Sequence, residues 1–192
     1  MRLHRYFVLF LAALVLPGLA LGAAKSTGPA DGTQVGPLSL EEVADDVYAL
    51  IGPTGPRTAE NHALNANFGF VVTDNGVAVI DSGASPAGAE LIHRAVKRVT
   101  DQPVRWVLNT GSQDHRWLGN SYFASRGATI HALSATVETQ ERFGDRHVKR
   151  LQGTLAEAEA AAIDPVRASE PHDGDRARLG LGDRTLELRR YG

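Results

Sequence analysis

Asn109-Thr110-Gly111-Ser112-Gln113-Asp114-His115-Arg116-Trp117-Leu118-Gly119-Asn120 is the stretch on which the reading of this chain turns. It follows a mostly apolar, strand-like run, Val104 to Leu108, and leads into a helical pattern at Leu118 to Ala124. A carboxylate and an imidazole side by side at a strand-to-helix turn are two good metal ligands. The same position also suits a loop carboxylate that caps the following helix, with a neighbouring histidine.

Upstream, Phe68 to Thr73 and Val77 to Ile80 read as two strands joined by Asp74-Asn75-Gly76, since Asn-Gly tolerates a positive φ. The second strand is apolar on both faces, as buried strands are. It ends at Asp81-Ser82-Gly83. Ser85 then precedes Pro86, an N-cap followed by proline at the first helical position. Leu91, Ile92, Ala95, Val96 and Val99 fall on one face of the helix that follows, and Pro103 marks its exit. Val47 to Ile51 is a further strand, followed by a polar, turn-rich loop from Thr54 to Ala63.

Downstream, Ala128 to Ala132 reads as a strand and Ser134 to Ala162 as one long helix or two. Ala177 to Leu181 and Arg184 to Leu188 flank Gly182-Asp183 and alternate like half-buried antiparallel strands. The order is mixed β, then βαβα, then β, which predicts an α/β protein.

The first residues have the pattern of an export signal. Arg2, His4 and Arg5 precede an unbroken apolar run, Phe7 to Leu16, and small residues follow up to Ala24. The run is shorter than the roughly 20 residues of a membrane span. Residues 1–24 are therefore expected to be a signal peptide, with no stable membrane span after cleavage and a periplasmic or secreted destination. Residues 25–37 are rich in small, turn-forming types and read as a flexible linker. Residues 38–192 are the expected domain. The chain has no cysteine, which excludes disulfides. Loss of the leader removes Arg2 and Arg5 and no acid from a chain of formal charge −2, so the balance argues against a nucleic-acid partner.

Four stretches resemble the metallo-β-lactamase-fold hydrolases, nearest to exported, quinoprotein-relay-type members. Val43 to Leu50 is similar to that family's first strand, and Asn67 to Gly83 to its second and third. Val107 to Thr110, with Asp114-His115 and Leu118-Gly119-Asn120, is similar to its metal loop. Leu186-Glu187-Leu188 is similar to the strand before a later metal histidine. The resemblance implies an αββα sandwich, here its first half, a mixed sheet with helices on one side in a domain that is C-terminally incomplete. It also implies zinc, a small-molecule substrate, and a metal-activated water attacking an ester, thioester or lactam. Asp114 and His115 match the last two positions of the family's His-x-His-x-Asp-His loop. Thr110 and Ser112 stand where its two earlier histidines fall.

The candidate site residues follow from this. Asp114 and His115 are the expected metal ligands, Asp114 also orienting the attacking water. Asp81 is either an acid that fixes a metal-loop group or a plain turn residue. Gln113 is either a ligand or water-holding amide, or a solvent-exposed loop residue. Trp117 reads as a core plug, His131 as a core or edge histidine, and His93 and His147 as solvated. The alternative to a hydrolase is a non-catalytic periplasmic binding or accessory protein, or an inactive fragment. A half-sandwich would leave one sheet face open to self-association.

Overall fold

The computed structural model describes residues 33–191. The expected signal peptide at 1–24, and the linker as far as residue 32, lie outside them.

Strands β1 (Gln34–Val35), β2 (Leu38–Ala44), β3 (Val47–Ile51), β4 (Phe68–Thr73) and β5 (Gly76–Ile80) form an antiparallel meander. Three strands then add in parallel: β6 (Val104–Leu108), β7 (Thr129–Leu133) and β8 (Glu170–His172). The result is one eight-stranded mixed sheet in chain order. The first strand starts at Gln34, inside the stretch read as linker, because Val35 is buried and pairs with Leu38. The segment Val43 to Leu50, likened to a single strand, instead spans the end of β2, a turn where Asp46 takes φ 63°, and most of β3, whose bounds match the strand read at Val47 to Ile51.

Parallel neighbours need helical crossovers. The first is α1 (Pro86–Val99), whose Ser85 hydroxyl accepts a hydrogen bond from the Gly88 N–H at 3.0 Å. Leu91, Ile92, Ala95 and Val96 are buried against the sheet, and Lys97 and Arg98 in the last turn complement the helix dipole. The second crossover holds two short helices, α2 (Asp114–Trp117) and α3 (Asn120–Ala124). The third holds α4 (Ser134–Gln152) and α5 (Glu157–Ala161).

Period-two alternation splits the strands between two cores. Leu50, Phe70, Val77, Val79 and Val107 face α1 and α3, where Phe123 and Ile92 meet them. Val47, Val71, Ala78 and Leu108 face the other way. That second face is not open as the sequence suggested. A hairpin of β9 (Arg176–Leu181) and β10 (Arg184–Arg189) covers it with Ala177, Leu179, Leu181, Leu186 and Leu188. The hairpin is pinned at its turn: the Asp74 N–H donates to Asp183 and the Asp183 N–H to Asp74, at 3.0 and 2.9 Å. Among the described residues the large exposed apolar side chains are Val43 and Tyr191, far too little for an open sheet face. None of the described helices is long and apolar enough to cross a membrane.

Candidate functional site

The loop after β6 is locked to the loop after β5 by backbone bonds. The Gly83 N–H donates to the His115 carbonyl and the Gly119 N–H to the Gly83 carbonyl, both at 2.9 Å. Asn109 and Asn120 exchange amide hydrogen bonds at 3.0 and 2.8 Å in the buried space between them. Asp81, at φ 61°, accepts from the Thr110 N–H and hydroxyl, each at 2.7 Å, and from Arg116 at 3.1 Å. Burial pushes the Asp81 carboxyl up, against the pull of Arg116 and Thr110. Asp81 therefore fixes the start of the loop, the role that a turn residue alone would not fill.

Asp114 is fully buried. Its Oδ1 accepts the His115 N–H at 2.8 Å. Its Oδ2 accepts from two guanidinium groups, Arg57 and Arg150, each at 2.5 Å. Burial alone would raise the Asp114 pKa. The contacts with His115, Arg57 and Arg150 overcome it and hold the carboxyl well below the usual carboxylate range. Arg57 also reaches His115, Nη2 to Nδ1 at 2.8 Å. A guanidinium can only donate, so Nδ1 is the accepting atom of this contact, and it also lies 3.3 Å from Asp114 Oδ1.

Zinc needs at least three protein ligands, deprotonated and convergent. The described residues contain no group of three His, Cys, Asp or Glu side chains placed to hold a metal. The two expected ligands are committed to arginines. Gln113 is exposed and makes no capping bond at the start of α2. The residues present do not fit a zinc centre.

Sequence reading missed the partners. Arg57 comes from the long β3–β4 loop and Arg150 from α4, 57 and 36 positions from Asp114. It also misplaced two histidines. His147 is buried on α4 with Nδ1 unpartnered, and burial, with Arg150, Arg146 and Arg57 nearby, lowers its pKa against the pull of Asp114. His93 Nδ1 lies 3.1 Å from the Tyr122 hydroxyl rather than in solvent. His131 stacks on His172, Nδ1 to Nε2 at 3.1 Å, at the β7–β8 edge. Trp117 is a core plug: it is buried, packs on Gly144 and donates to the Ser112 carbonyl at 3.2 Å.

Beside this cluster lies a cleft of about 370 Å³. Thr110 to Gln113 form one wall, Thr136 and Thr139 of α4 another, and Arg189, Arg190 and Tyr191 a third. Neither Asp114 nor His115 lines it.

A mixed sheet with helices on one face and a second sheet on the other defines a layered α/β sandwich, with its polar cluster at the C-terminal ends of the parallel strands. This is the metallo-β-lactamase fold. A metallo-beta-lactamase from Pontibacter korlensis matches with a TM-score of 0.52 at 15% identity, over 78% of this chain and 59% of that one. A second match, at 14% identity and TM-score 0.47, is a Pseudomonas aeruginosa metallo-beta-lactamase in its mono-zinc form, over 56% and 47% of the two chains. The fold assignment rests on the first. This chain thus spans 59% of the length of that first structure. No protein-family model matches the sequence.

Proposed function

We propose that this is an exported binding module on the metallo-β-lactamase fold, which holds a small carboxylate in the cleft beside Thr110 to Gln113. The observation that carries the reading is the cleft's lining. It offers the hydroxyls of Ser112 and Thr136, the Gln113 amide and two guanidinium groups, with no carboxylate or imidazole among the lining residues, while the Thr110 and Thr139 hydroxyls donate to Asp81 and to the Ala135 carbonyl. Arg189 is tied to Glu187, whereas Arg190 has only a loose 3.7 Å contact with Asp175 and is available to a ligand. Arginine and hydroxyl donors around a cleft of this size suit a small anionic molecule.

Calorimetric titration with malonate as the probe tests this. Removing one charge-assisted hydrogen bond, worth roughly 1.5–3 kcal/mol, predicts at least a tenfold weaker affinity in Arg190→Ala. Absence of any binding heat, or equal affinity in wild type and variant, refutes the cleft assignment. Export rests on the leader pattern, and an N-terminus beginning near Lys25 in protein recovered from the producing cell would support it.

A second reading is favoured by the fold and by the place of Asp114-His115 at the strand-to-helix turn: a metal-dependent hydrolase of esters, thioesters or lactams. It requires turnover of chromogenic versions of those substrates after zinc loading, lost in Asp114→Ala. The commitment of both residues to arginines ranks it below the binding reading.

A further inference from the structure

We infer that Arg57 is a built-in cation standing where a metal ion would bridge Asp114 and His115, so that the loop needs no metal to hold its shape. This goes beyond the cleft reading and does not depend on it, since an empty cleft leaves the bridge intact.

The geometry is that of a three-pronged clamp. Arg57 Nη1 donates to Asp114 Oδ2 at 2.5 Å, Nη2 to His115 Nδ1 at 2.8 Å, and Nε to Asn65 Oδ1 at 3.0 Å. Each guanidinium nitrogen therefore has its own acceptor. The Asn65 contact comes from the same β3–β4 loop and fixes the plane of the fork before it meets the site. Arg150 supplies a second positive group on the same Asp114 oxygen from α4. A fully buried carboxylate needs compensating charge, and a divalent ion or a pair of guanidinium groups can supply it.

The local chain agrees with the substitution. Two histidines that would complete a metal loop are Thr110 and Ser112 here. Thr110 is turned to Asp81, which it holds through both its N–H and its hydroxyl. Arg116 reaches the same hydroxyl and the same carboxylate. The polar groups of this turn that a metal would gather are instead gathered by Arg57, Arg150 and Arg116. A fork of two N–H groups, rather than a point charge, is what spans an oxygen on one residue and a nitrogen on the next.

The test uses the full chain and the metal alone. After chelator dialysis, zinc uptake is measured on wild type and Asp114→Asn, and thermal stability is followed in parallel. The inference predicts the same zinc content in both, no change of melting temperature with chelator, and no rise with zinc. It also predicts that Arg57→Ala melts lower, and that methylguanidinium in the millimolar range restores part of the loss in Arg57→Ala and none in wild type. Arg57→Lys should recover little, since an ammonium lacks the fork. One zinc per chain in wild type that Asp114→Asn loses, or a melting temperature that falls with chelator, overturns the inference. Should Arg57→Ala fail to fold, the wild-type and Asp114→Asn measurements still decide it.

Discussion

Replacing Gly119 with alanine asks whether the two site loops are locked as described. Gly119 sits at ordinary helical angles, φ −85° and ψ 0°, so alanine meets no backbone strain there. What it meets is the opposite loop. A Cβ at this position would stand 2.1 Å from the Ser82 carbonyl oxygen and 2.9 Å from the Ala89 Cβ. Ordinary contact needs more than 3 Å, so the loops must separate by about 1 Å. Overpacking of this kind costs typically 1–3 kcal/mol. Separation also strains the Gly119 N–H to Gly83 bond, worth about 0.5–1.5 kcal/mol. The sum is about 2–4 kcal/mol, which lowers the melting temperature of a domain this size by roughly 5–15 °C. Gly180→Ala is the control, because a Cβ there has nothing within 4 Å. Thermal and urea unfolding of both variants provide the assay. A Gly119→Ala protein within about 0.5 kcal/mol of wild type, the scatter of neutral surface changes, would refute the locked-loop reasoning.

Trp117→Ala should cost about 3–5 kcal/mol by urea unfolding, since the ring is buried and packs directly on Gly144. Leu179→Asp with Leu188→Asp should uncover Val71, Ala78 and Leu108, seen as new binding of an apolar dye and as self-association in sedimentation; wild type should show neither. Acidification should destabilise the fold. Burial lowers the folded pKa of His93, His131 and His147, while the unfolded imidazoles bind protons at about pH 6.5. The unfolded chain then binds more protons as pH falls through about 6.5, so stability drops from there downward. Melting curves between pH 7.5 and 5.5 should show it, with a shallower slope in His147→Gln. An unchanged slope would remove His147 from the account.

Elements with local signals were legible in the sequence. Ser85-Pro86 set the start of α1, Val104 to Leu108 matched β6 at both ends, and Asp74-Asn75-Gly76 set the β4–β5 turn. Edge strands β1 and β8 carried no such signal. They are two and three residues long, and their pairing rests on neighbours rather than on their own apolar pattern. The Asp114-His115 pair was visible, but its electrostatic partners were not. A buried carboxylate demands a cation, yet nothing local to Asp114 says which of the chain's arginines will arrive. On α4, Gln140, Gly144, His147 and Leu151 recur at helical spacing. His147 was expected to be solvated, whereas the stripe is buried: Gln140 donates to the Gly111 carbonyl at 3.3 Å and Gly144 meets Trp117. The stripe closes over Trp117 and Leu118, a core that the sequence of α4 alone does not announce.

The claim at the centre of this account is that a guanidinium, rather than a metal, joins Asp114 to His115. The most direct measurement is diffraction from crystals grown with excess zinc, with anomalous maps at the zinc edge. The account predicts planar Arg57 density between the two side chains and no anomalous peak there. A zinc peak within about 2.0–2.2 Å of Asp114 and His115, with Arg57 displaced, would contradict it.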